Sequence, residues 1–212
     1  MKHAKRHPLI FGTIILTATG LITRVIGFFY RIYLSRLFGE EGMGIYQLLS
    51  PALSLSFSLT AAGYQTAISK YVAADSAKRP SGNLKPLLAG TSITLPLSLV
   101  TNAILFFSAD PIGIFLLKDH RTVPMLRILS FSVPFAALHA CINGYFYGKK
   151  KASVPALTQL LEQLARVSCV FLVTGADLAE GRTPSINAAV LGLTVGEIFS
   201  MLIALVLSLI HI

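Results

Sequence analysis

Apolar residues run along this chain in long blocks parted by short polar turns. Three blocks contain no Asp, Glu, Lys or Arg: 42–69, 86–109 and 128–148, of 28, 24 and 21 residues. A helix needs about 20 apolar residues to cross the hydrocarbon core of a bilayer. Three further blocks reach that length but carry charge: 9–34 with Arg24 and Arg31, 153–175 with Glu162 and Arg166, and 185–212 with Glu197. The pattern predicts an all-α fold, a polytopic transmembrane helix bundle of six spans near residues 9–35, 44–72, 86–108, 123–148, 153–175 and 185–210. The chain reads as a single membrane domain, 1–212, with short loops. The longest polar stretch, 74–85, is a turn expected to hold a short interfacial helix, and Pro51 is expected to kink the second span.

Three spans are two-faced at a spacing of 100° per residue. In the first, Thr13, Thr17, Gly20, Arg24, Gly27 and Arg31 share an arc of about 80°, and the rest of the helix is Leu, Ile, Val and Phe. In the second, Gln47, Pro51, Ser54, Ser58, Ala61, Gln65 and Ser69 share an arc of the same width. In the fourth, Arg127, Ser130, Pro134, Ala137, Cys141, Gly144 and Gly148 fall within about 100°. Polar faces of membrane helices turn toward protein or water rather than lipid. Close packing of small residues and the lining of a wet cavity both account for the Gly and Ala positions. Packing alone leaves the arginines unexplained, because Arg at the bilayer centre costs about 2.5–3.5 kcal/mol on insertion scales. Arg24 is therefore read as lining a water-filled cavity; Arg31 either joins it or reaches an interface.

Glu162 and Arg166 stand four apart on one face of the fifth span, either as a neutralising ion pair or as an ion-coupling site. Glu197 has no partner in its own helix, so it either pairs with Arg24 or Arg166 across helices or titrates. His139, alone among the histidines in mid-span, reads as a hydrogen-bonded residue rather than a ligand, and Cys141 and Cys169 as small packing residues.

Composition agrees with a membrane protein: 54% hydrophobic and 13% charged residues, with a mean hydropathy of +0.70, against roughly 25% charged in soluble domains. The net charge of +9 is not a nucleic-acid signal, because the basic residues sort by loop. Lys2, Lys5, Arg6, Lys70, Lys78, Arg79, Lys85, Lys149, Lys150 and Lys151 fall on one side; only Arg36, Lys118, Arg121 and Arg182 fall on the other. The positive-inside rule puts the first set, and the N-terminus, in the cytoplasm. The chain has no phosphate-binding loop, no G-x-S-x-G and no H-E-x-x-H. The reading is of a non-enzyme without cofactor or metal.

The segments GLITRVIGFFYRIYLSRLFG at 20–39, GMGIYQ at 42–47 with Pro51 beyond it, and GYQTAISK at 63–70 resemble the bacterial polysaccharide-biosynthesis flippases. The likeness is nearest to the stage V sporulation protein B subgroup, relatives of the lipid II flippases in the multidrug/oligosaccharidyl-lipid/polysaccharide exporter superfamily. The resemblance implies a MATE-like fold of two six-helix lobes working by alternating access, of which this chain would be the N-terminal lobe with the C-terminal lobe missing. It also implies a lipid-linked sugar diphosphate as substrate, moved from inner to outer leaflet of the bacterial cell membrane. Arg24 and Arg31 would clamp the diphosphate, and Gln47, Gln65, Glu162, Arg166 and Glu197 would line the same cavity. A cation-coupled drug exporter of the same fold, resting on Glu162 and Glu197, and a non-transporting scaffold of a cell-wall synthase are the competing readings.

Overall fold

The structure is a computed structural model that describes residues 8–78 and 84–211. Helices dominate: α1 (Pro8–Leu48), α2 (Ser50–Phe57), α3 (Gly63–Lys78), α4 (Lys85–Phe107), α5 (Ala109–Pro111), α6 (Thr122–Ser130), α7 (Ser132–Gly148), α8 (Ser153–Ala179) and α9 (Asn187–His211). Wider π-helical turns join α2 to α3 (Ser58–Ala62) and follow α5 (Ile112–Leu116). No strand occurs among the described residues. The expected interfacial helix within 74–85 falls partly outside them, as do the basic side chains of Lys2, Lys5, Arg6, Lys78 and Arg79.

Among the described residues five stretches are long and apolar enough to cross a membrane, and the first, Gly12–Ser76, has 65 residues. Straight, it would extend about 98 Å at 1.5 Å per residue, some three times the hydrocarbon thickness. It reverses instead. Gly39 alone leaves helical geometry, at φ 69° and ψ −176°, a conformation open essentially only to glycine. The arms on either side pack on different partners. A side chain at Gly12 would meet Ala152, Gly27 lies beside Gln163, and Tyr33 bonds Thr174 at 2.7 Å, so the first arm runs parallel to α8. Gly144 lies on Gln65, and Gly148 on Ser69 and Val72, so the second arm runs parallel to α7. Gly192 meets Val170 and Gly196 meets Glu162, which makes α8 and α9 antiparallel. Ser200 on α9 meets His139, and Thr194 meets Ile128, so α9 and α7 run the same way. The first arm and α8 therefore run one way, and the second arm, α7 and α9 the other.

The break near Pro51 falls before the proline. Leu49 is a turn residue, and Pro51 sits in the first turn of α2, where a missing N–H costs nothing. Hydroxyls inside the spans bond carbonyls one turn back: Thr60 to Ser56, Thr94 to Gly90, Thr174 to Val170, each at 2.7 Å. That removes most of the cost of placing them in a membrane. Three apolar clusters hold the bundle. Leu49, Leu105, Met125, Leu126, Leu129 and Val190 fill the end near the Gly39 turn; Ile68, Val72, Ile142, Phe146 and Val154 fill the opposite, lysine-bearing end. Tyr30, Leu34, Met43, Val170 and Ala189 tie α1 to α8 and α9.

Candidate functional site: a buried polar network and an open polar face

The charged residues of the spans divide into two groups. The first is inside the bundle, where α7, α8 and α9 meet. Glycines make the meeting possible: a Cβ on Gly196 would lie 3.1 Å from the Glu162 carbonyl, and one on Gly192 2.9 Å from that of Arg166. Arg166 donates from Nη2 to Glu162 Oε1, one turn away, so the ion pair is formed. Glu197 meets neither Arg24 nor Arg166 within ion-pair distance; its Oε2 lies 3.8 Å from Nδ1 of His139. The register of α9 against α7 sets this choice, because Ser200, one turn beyond Glu197, also bonds His139 Nδ1 at 3.0 Å. On the other ring nitrogen, Asn143 Nδ2 donates to Nε2 at 2.9 Å, and Thr158 Oγ1 lies at 3.2 Å.

His139 is thus a hydrogen-bonded core residue, 7% exposed, and it also belongs to the charged network, a membership its sequence environment did not disclose. An ionisable residue in mid-span is the one sequence signal that could have pointed to it. Nitrogen and carboxylate oxygens of His139, Glu162 and Glu197 lie within 4.8 Å of one another. Both ring nitrogens are engaged and a guanidinium holds Glu162, so hydrogen bonds already tie the group together. A cavity of about 220 Å³ opens beside it, lined among others by Gln65, Asn143, Gln159, Glu162 and Glu197. Phe57, Gln65 and Tyr147 also line a second cleft, of about 540 Å³, that continues to Ser69, Lys70 and Ala73 at the lysine-bearing end. Of the seven residues singled out in the sequence, the fold brings together Gln65, Glu162, Arg166 and Glu197.

The second group is on the outside of the described bundle. Thr13, Thr17, Arg24 and Arg31 are exposed on α1. Their arc is distinct from both other faces of that helix. The packed face (Gly12, Thr23, Tyr30, Leu34) is centred roughly 90° to one side, and the exposed apolar face (Ile14, Leu21, Val25, Phe28, Phe29) roughly 105° to the other. Gln47, Pro51, Ser54 and Ser58 are likewise exposed along the second span, whereas Ala61 below them is fully buried. The small residues of the fourth span behave differently. Ala137, Cys141, Gly144 and Gly148 are buried, and Gly144 and Gly148 bring the backbones of α7 and α3 into contact. There the packing explanation holds. Arg127 pairs with Asp110 at 2.5 Å and lies over the Phe106 ring, at the end bearing the Gly39 turn.

A family model described as polysaccharide biosynthesis protein matches residues 9–211. Among curated proteins, stage V sporulation protein B of Bacillus subtilis is 36% identical over 192 residues, 90% of this chain and 37% of the relative. The lipid II flippase MurJ of the same organism is 27% identical over 179 residues, 80% of this chain and 32% of MurJ. Its uncharacterized membrane protein YabM is 27% identical over 164 residues, 77% and 30% of the two chains. The chain thus spans about a third of the length of these relatives. No solved structure matches it significantly.

Proposed function

We propose, from the premise that this chain belongs to the polysaccharide biosynthesis protein family, that it forms one lobe of a flippase for a lipid-linked sugar diphosphate. The observation that carries the reading is the open polar face of α1. Arg24 and Arg31 are exposed and stand off the helix's packed side, on an arc that borders its apolar side, and acyl chains are costly surroundings for a guanidinium. A second, C-terminal lobe set against this face and the open stripe of the second span encloses a hydrated crevice. Two guanidinium groups one heptad apart then bind the diphosphate bidentately, while the prenyl tail stays in lipid. Alternating access of the two lobes carries the head from inner to outer leaflet.

The lysine-bearing end faces the cytoplasm of a bacterial cell, by the positive-inside rule. An inside-negative potential then favours outward movement of the anionic head by about 2.3 kcal/mol per charge per 100 mV. The reading is of a transporter rather than an enzyme.

The test is translocation of a polyprenyl diphosphate-linked sugar by the full-length protein in sealed vesicles. Arg24→Ala and Arg31→Ala are expected to slow it at least tenfold, with insertion and yield unchanged. Wild-type rates in both variants overturn the diphosphate role.

A further inference from the structure

We propose that the groove between α3 and α4 at the lysine-bearing end binds an anionic phospholipid, with one acyl chain lying between the two helices and the headgroup held at Lys85. The groove follows from how both helices rest on a third. α3 lies on one side of α7, where Gly144 and Gly148 admit the backbone at Gln65 and Ser69. α4 lies on another side, where the Cys141 thiol donates to Thr94 Oγ1 at 3.5 Å. Two helices laid side by side on one cylinder meet near it and part on the outside. The meeting is marked by Gly90, where a Cβ would stand 2.4 Å from Ile68 Cδ1. Ile68, Val72, Leu87 and Ile142 seal the floor beneath.

What stays open is a trough of about 460 Å³, walled by Tyr64, Ala67 and Tyr71 of α3 and by Pro86, Ala89 and Ile93 of α4. Its walls are alkyl groups and aromatic rings, which offer water few partners; flexible hydrocarbon recovers the dispersion contacts that an unfilled trough loses. From Lys85 to Ile93 the helix rises about 12 Å, against a hydrocarbon half-thickness of about 15 Å. The trough therefore starts at the headgroup layer and ends within one leaflet, the reach of a single acyl chain. A spanning helix from a partner would need a groove through both leaflets. Here the seam closes beyond the trough, where the turn Ser58–Ala62 packs on α4. It opens again in the other leaflet as a hollow of about 270 Å³ lined by Leu55, Leu59 and Ile104, and no charged residue lines that hollow among the described residues.

Charge decides which lipid the inner trough takes. Lys85 is the one charged residue of its lining among the described residues, and a lysine stem follows an apolar edge while its ammonium reaches the phosphate layer. The same end of the bundle carries Lys70, Lys149, Lys150 and Lys151 against Asp75. Basic pockets between membrane helices on the cytoplasmic side are suited to anionic headgroups; a zwitterionic headgroup brings its own cation to that surface. Tyr71, exposed at the mouth, is the amphipathic ring that membrane interfaces favour. On α3 the trough residues and the cleft residues Gln65 and Ser69 stand roughly 130° apart, so the lipid site is separate from the polar cleft. The inference needs the chain to span a membrane and does not rest on the flippase reading.

The experiment is native mass spectrometry of the full-length protein, with phosphatidylglycerol and phosphatidylcholine of identical acyl chains as probes. Wild type is expected to retain one phosphatidylglycerol about fivefold more tightly than phosphatidylcholine, the equivalent of the ~1 kcal/mol that one lysine adds near an anionic surface. Ala89 is exposed in the trough wall, and Ala89→Phe is expected to fill the trough and remove one bound lipid of either kind. Lys85→Gln is expected to bring the two affinities at that site within twofold of each other. Leu88, 61% exposed and outside the lining, gives the control: Leu88→Phe leaves both affinities unchanged. All three positions are exposed, and an unchanged thermal midpoint confirms the fold of each variant. Wild-type retention of phosphatidylglycerol in Ala89→Phe, or an undiminished preference in Lys85→Gln, overturns the proposal. So does a dimer in detergent that Ala89→Phe dissociates, since a second copy would then fill the trough. Arg24→Ala is expected to keep wild-type lipid retention, so failure of the flipping test and failure of this one are told apart.

Discussion

At the scale of single residues, the packing depends on positions where no side chain fits. A Cβ on Gly144 would stand 2.6 Å from the Gln65 carbonyl oxygen, a backbone atom that cannot swing aside. Gly144→Ala is expected to force α7 off α3 and to destabilise the fold by about 1–3 kcal/mol, read as a lowered thermal midpoint in detergent. Gly20, with nothing within 4 Å of the same probe position, is expected to accept Ala with a change of less than about 0.5 kcal/mol. Both glycines lie on small-residue stripes of the same spacing, so periodicity placed them on faces without telling a tight contact from an open groove. That difference depends on which helix lies opposite. Glu197 shows the same limit. Its burial and need for a partner were legible, but the partner was His139, fixed by the register of α9 on α7.

A further residue-scale expectation concerns acid. Asp119 accepts from the Arg121 backbone N–H at 2.9 Å and from its guanidinium at 3.0 and 3.2 Å, which holds its carboxyl below the usual range. A lowered carboxylate pKa adds stability that is fully present above the unfolded value of about 4 and is lost as pH falls through the folded value. Arg121 also pairs with Glu41 at 2.7 Å, joining this loop to the Gly39 turn. The Tm gap between wild type and Asp119→Asn is expected to be present at neutral pH and to close below about pH 4. A gap that widens in acid contradicts the assignment.

At the scale of elements, one glycine divides a helix that would otherwise overshoot the bilayer. Gly39 has no neighbour that would clash with a Cβ, so its demand is purely conformational. Gly39→Ala is expected to cost about 1–3 kcal/mol, seen as reduced thermal stability and as looser protease protection of the turn. The Gly-Glu-Glu-Gly run at 39–42, set between two apolar blocks, is a turn signal that the sequence alone carries. Helical geometry continuing on both sides of a single residue was not legible, since glutamates and glycines fit loop and helix ends equally well. The π-helical turns were also unreadable. They are one-residue insertions into a helical ladder, decided by packing rather than by a local signal.

At the scale of the molecule, three kinds of helix surface coexist: faces packed on neighbours, apolar faces suited to lipid, and polar faces that are neither. Amphipathic arcs within apolar blocks predicted the third kind, and the first two spans retain it in the folded bundle. In the fourth span the same pattern was absorbed by packing, because α3 lies against it. On the proposed function, the Arg24–Arg31 face lines a hydrated crevice between two lobes. That crevice is tested most directly by labelling single cysteines in the full-length protein in native membrane, after Cys141 and Cys169 are replaced by Ala. A charged, water-borne thiol reagent is expected to modify Arg24→Cys and Arg31→Cys at least tenfold faster than Val25→Cys and Phe28→Cys, with added lipid-linked diphosphate slowing the first pair alone. Equal rates at all four positions, or a faster reaction at Val25 and Phe28, contradict it.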